Sequence, residues 1–98
     1  MLIKNYSKTG RICRVTFKLP AEVEAEKAVL CGDFNDWDTD AKPMRKLKDG
    51  SFSQTVSLDA DNTYHFRYYL DDERWENDWD PDGYAPNEHG TEDSLVTI

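Results

Sequence analysis

The chain has 98 residues, of which 38% are hydrophobic and 12% aromatic; 20 acidic side chains stand against 12 basic ones, for a formal net charge of -8. A chain this short folds as one domain around one small core, burying roughly 60% of the surface that its unfolded form exposes. The negative charge repels phosphate backbones and anionic lipid headgroups, so nucleic acid and membrane are set aside as partners, and no apolar run nears the roughly 20 residues of a bilayer span.

The start, Met1-Leu2-Ile3-Lys4-Asn5-Tyr6, has no long apolar segment of the secretory kind, so a cytoplasmic location is expected. Residues 1–10 show no clear period and end in Ser7-Lys8-Thr9-Gly10, which reads as an N-terminal lead-in to a single domain over residues 11–98. Alternation then becomes plain: Cys13, Val15, Phe17 and Leu19 fall on one side and Arg14, Thr16 and Lys18 on the other, the pattern of a half-buried strand. Pro20 ends it. Residues 21–26 are too short for an independent helix and read as a connection with one helical turn.

A second strand over residues 27–31 carries the apolar run Ala28-Val29-Leu30-Cys31 into the loop Gly32-Asp33-Phe34-Asn35-Asp36-Trp37-Asp38. Trp37 has two readings here, a core anchor or an apolar platform displayed beside polar groups. A hairpin is expected over residues 44–58, with a two-residue turn at Asp49-Gly50, where both positions tolerate positive φ, and with Phe52, Val56 and Leu58 inward and Gln54 the one polar residue on that parity. After a turn at residues 59–62, the strand over residues 63–70 puts Tyr64, Phe66, Tyr68 and Leu70 on the core face, leaving His65, Arg67 and Tyr69 on the other. A polar turn leads to Trp75 and an aromatic, acidic loop reaching Gly90, and Leu95-Val96-Thr97-Ile98 reads as the final strand. Short strands, frequent turns and no helical period predict an all-β antiparallel sandwich. Cys13 and Cys31 are too few for a disulfide scaffold and are expected to be free thiols.

Chemistry is expected where aromatics leave the alternating core positions. Sugar rings present apolar C–H faces edged by hydroxyls, so an exposed aromatic beside fixed polar groups suits them; Trp37, Trp75, Trp79 and Tyr84 all sit in loops or at strand ends. Asp78-Trp79-Asp80-Pro81-Asp82-Gly83 imitates the start of a calcium loop, but the twelfth position, where a bidentate Glu belongs, is His89. No metal or cofactor is expected. Catalysis is the least favoured class: His65 and His89 show no nucleophile spacing with either cysteine, and a glycosidase needs a carboxylate pair across a cleft.

The strings Val29-Leu30-Cys31-Gly32-Asp33-Phe34-Asn35-Asp36-Trp37, Tyr64-His65-Phe66-Arg67-Tyr68-Tyr69-Leu70-Asp71, Trp75, and Gly90-Thr91-Glu92-Asp93-Ser94-Leu95-Val96 resemble family 48 carbohydrate-binding modules. These are the early-set, immunoglobulin-like domains at the amino termini of isoamylases and glycogen branching enzymes, and the glycogen-binding domain of the AMP-activated protein kinase β subunit. The resemblance implies a non-catalytic α-glucan-binding domain whose ligand is an α-1,4-linked glucan such as glycogen or a maltooligosaccharide, and with no catalytic barrel attached a stand-alone module is expected. It also implies site residues. Trp37 and Trp75 would stack on glucose, Arg67 and Thr91 would bond its hydroxyls, and Asp93 stands where the family has Asn, so it accepts but does not donate when ionised. Tyr69, Trp79 and His89 are further candidate contacts, with His89 at the position of an apolar residue that some members insert between glucose units. The alternative expectation is an accessory domain that docks on a separately encoded glucan-metabolising enzyme without binding sugar.

Overall fold

The computed structural model describes the whole chain, Met1–Ile98. The chain forms nine strands: β1 (Leu2–Tyr6), β2 (Ile12–Leu19), β3 (Ala28–Gly32), β4 (Arg45–Lys46), β5 (Phe52–Asp59), β6 (Thr63–Leu70), β7 (Arg74–Glu76), β8 (Gly83–Pro86) and β9 (Glu92–Thr97). One sheet has the order β1-β2-β5-β4 and the other β3-β6-β9-β8, with β7 also paired to β6. Every pairing is antiparallel. The architecture is the all-β antiparallel sandwich expected from the alternation, of the immunoglobulin-like kind that the resemblance implies.

The two eight-residue strands with the clearest period, β2 and β6, supply the centre of the core. Cys13, Val15, Phe17 and Leu19 from β2 face Phe66, Tyr68 and Leu70 from β6, joined by Phe52 and Leu58 of β5 and Val96 of β9, all buried. Phe17 meets Phe66 edge-on at 5.0 Å between centroids, and Phe66 meets Tyr68 at 5.7 Å, the tilted contacts that aromatic quadrupoles favour. Gln54 does take an inward position, and its side-chain oxygen is buried without a hydrogen-bond partner. All five residues of β3 are buried, so its continuous apolar run has both faces covered.

Four expectations change. The lead-in contains β1, which pairs with β2 from Leu2↔Phe17 to Tyr6↔Cys13; as a largely exposed edge strand it carries almost no apolar period to read. The turn at Asp49-Gly50 is a three-residue loop, closed by Leu47 N donating to Ser51 O at 2.7 Å, and only Gly50 has positive φ, at 89°. That is a type I turn with a glycine bulge, in which Asp49 instead accepts hydrogen bonds from Ser51 N and Oγ. The loop expected to begin at Trp75 starts only after β7, which holds Trp75 at its centre, and is interrupted by β8; both strands are short and at sheet margins. The last strand starts at Glu92, three residues early, because its first half is polar.

Gly32 ties the fold to the loop it delivers. Its backbone is extended, so conformational freedom is not the reason for glycine there. The reason is space: a Cβ would lie 2.6 Å from the His65 carbonyl oxygen and 2.8 Å from the Phe34 ring. Gly32→Ala must push β3 from β6 or displace Phe34, and is expected to cost about 1–3 kcal/mol. Thermal unfolding checks this, and an unchanged Tm would contradict the close approach.

Candidate functional site

Strand β6 organises the outer face of the second sheet. Its register with β9 runs from Thr63↔Thr97 to Phe66↔Ser94, and β7 takes over on the same side at Tyr68↔Glu76. Arg67 stands at the seam between these two partners. The inward parity of Phe66 and Tyr68 fixes it outward, and the pair Tyr69↔Trp75 puts Trp75 on the same outer face. From the other side comes the loop after β3. A 3₁₀ turn over Asp33–Asn35 is followed by Asp36 and Trp37, both at φ 56°. Asn35 locks that turn: its Oδ1 accepts from Gly32 N at 3.0 Å and its Nδ2 donates to Leu30 O at 2.9 Å.

These elements converge. The Trp37 and Trp75 ring centroids lie 6.4 Å apart with the planes at 65°, so the two indoles form an angled corner. Tyr69 backs Trp75 at 4.7 Å, its hydroxyl donating to Asp72 O. The Arg67 guanidinium lies 5.6 Å from the Trp75 ring centroid, within cation–π range. Its Nε is buried with no hydrogen-bond partner, and none of the six ion pairs includes Arg67.

The corner opens a cleft of about 530 Å³. Trp37, Arg67, Trp75, His89 and Asp93 line it as a group, joined by four residues that the sequence did not single out as a site: Asp33, His65, Asn87 and Glu88. Asp33 is a clamp, its Oδ1 accepting from Trp37 Nε1 at 3.4 Å and its Oδ2 from His65 N at 2.8 Å. Asp93, almost buried, lies 3.1 Å from His65 Nδ1 and accepts from Asn87 Nδ2 at 3.0 Å. The outward parity of His65 was the one available signal for it; Asn87 acts through a turn whose hydrogen bonds leave no periodic trace.

Thr91 and Trp79 lie apart from this group, in a second depression with Glu76 and Tyr84. The Thr91 hydroxyl is held by Asn87, whose Nδ2 donates to it at 2.8 Å. Two carboxylates of the calcium-like segment are engaged elsewhere: Asp78 with the Met1 amine, Tyr68 Oη and Asp80 N, and Asp82 with Lys4 Nζ and Thr97 N.

A family model described as carbohydrate-binding module 48 (isoamylase N-terminal domain) matches residues 5–85. The chain belongs to this carbohydrate-binding family. The matched span holds Trp37, Arg67, Tyr69, Trp75 and Trp79 and stops short of His89, Thr91 and Asp93. No curated protein matches the chain. No helix of the module is long and apolar enough to cross a membrane.

Two buried acids of the module titrate late. Burial, with the Asp38 carboxylate nearby, pushes the Cys31 thiol up to about 11, and burial together with Asp78 holds the Tyr68 phenol well above its ordinary value. The folded chain keeps these protons to higher pH than the unfolded chain does. The stability they contribute is therefore complete below the ordinary thiol value of 9.0 and is lost as pH rises through the folded values. Tm is expected to fall between about pH 9 and about pH 11, less steeply in Cys31→Ala; a flat profile in the parent protein would contradict the burial of these groups.

Proposed function

We propose that the module binds an α-1,4-linked glucan, such as glycogen or a maltooligosaccharide, in the cleft between Trp37 and Trp75 and does no chemistry on it. The observation that carries this reading is Arg67: a cation lying over one indole of an aromatic corner, with its donors unengaged by any carboxylate of a strongly acidic protein. A guanidinium in that state suits a neutral partner that presents hydroxyl oxygens. The 65° angle between the indoles supports a curved chain, because successive glucose units of an α-1,4 polymer turn relative to one another and a flat ribbon would meet only one ring.

Roles follow from chemistry. Trp37 and Trp75 offer apolar faces to sugar C–H bonds, Arg67 donates to hydroxyls, and Asp93 and Glu88 accept from them. Asp33 positions Trp37 and Tyr69 positions Trp75. Affinity is weak, since a shallow cleft covers few ligand atoms and must order a flexible polymer. Native electrophoresis tests the reading: glycogen cast into the gel is expected to retard the protein, and soluble maltoheptaose to restore its mobility. Equal mobility with and without glycogen would refute it.

A further inference from the structure

The second depression is built differently from the cleft and shares no residue with it; the turn over residues 87–91 divides the two, Asn87 to His89 facing the cleft and Gly90 and Thr91 the depression. We propose that this depression is a second, independent carbohydrate subsite that takes neutral sugar rings on Trp79 and Tyr84. The choice of ligand class rests on the family to which the chain belongs and on the local chemistry, not on the reading of the Trp37 cleft.

Trp79 and Tyr84 are 53% and 48% exposed, large apolar areas to leave in water on a small protein. Their polar atoms are already satisfied, with Trp79 Nε1 donating to Glu76 Oε2 at 3.0 Å and Tyr84 Oη to Asp78 O at 2.8 Å. Both rings are thus fixed in place, which reduces the ordering cost of binding. Neither ring stacks on another aromatic or on a cation, and about half of each is open to solvent.

The surroundings select the occupant. No lysine, arginine or histidine lines the depression, while Glu76 and Glu92 supply carboxylate acceptors and Thr91 a hydroxyl, so an anionic ligand is repelled and a hydroxyl-bearing neutral one is matched. A bound organic cation gains most where several rings close around it, and Trp79 and Tyr84 do not stack on one another. They suit separate units of a chain. The open volume, about 590 Å³, accommodates a short oligosaccharide.

The protein has three tryptophans, so 5-fluorotryptophan labelling gives three ¹⁹F resonances, assigned by single Trp→Phe variants. Titration with maltotetraose is expected to move the Trp79 resonance saturably in the parent and equally in Trp37→Ala, and Tyr84→Ala is expected to weaken that response by about tenfold. A Trp79 resonance that stays fixed at saturating sugar, that loses its response in Trp37→Ala, or that answers tetramethylammonium in place of sugar would overturn the subsite. If Trp37 and Trp75 respond while Trp79 does not, the subsite falls and the cleft reading stands; if Trp79 alone responds, the subsite stands and the cleft reading falls.

Discussion

Trp37→Ala is expected to weaken binding of maltoheptaose by about 30-fold, equivalent to about 2 kcal/mol, and so to remove it from the measurable range of a weak site. The substitution takes away one wall of the corner formed with Trp75 at 6.4 Å, and with it the partner of Asp33 Oδ1. Half-buried in a loop rather than in the core cluster, Trp37 contributes little to the sandwich interior, so the fold should survive the change. Calorimetric titration checks the binding loss and circular dichroism the fold. A Trp37→Ala protein with undiminished affinity would mean that sugar does not lie on this ring.

Phe66→Ala is expected to have the largest effect on stability, a loss of about 3–5 kcal/mol. Phe66 is fully buried, packs edge-on against Phe17 and Tyr68, and pairs in register with Gly32 on one side and Ser94 on the other. Small domains have about 5–15 kcal/mol in all, so this one truncation removes a large part of the margin. Because Arg67 is the next residue along β6, the variant is also expected to lose the proposed glucan binding near its lowered Tm, before unfolding is complete. Urea denaturation measures the effect; a loss below about 1 kcal/mol would contradict the packing described for the core.

Legibility in the sequence followed periodicity. In β6 the alternation holds for eight residues without a break, so the amino-acid order alone assigns the inward set and the outward trio His65, Arg67 and Tyr69. Strand β1 was hidden because an edge strand exposed along most of its length has no apolar stripe, and β7 and β8 because three or four residues are too few to show a period. The meeting of Trp37 with Trp75 depends on the register of β7 against β6 and on two consecutive positive-φ residues, neither of which a sequence displays. Trp75 and Trp79, four residues apart, part company for the same reason: Trp75 is fixed outward by its pairing with Tyr69, while Trp79 lies beyond the end of β7 and bonds to Glu76, which has the opposite parity. Asp33 and Asn87 were missed because they act by hydrogen bonds across loops, where composition says only that a polar residue is present.

The most direct test of the proposed glucan cleft is a crystal structure with maltoheptaose soaked in. Glucose rings are expected against both Trp37 and Trp75, with Arg67 within hydrogen-bond distance of their hydroxyls. A cleft left empty while sugar occupies another face, or an Arg67 turned away to pair with a carboxylate, would contradict the account.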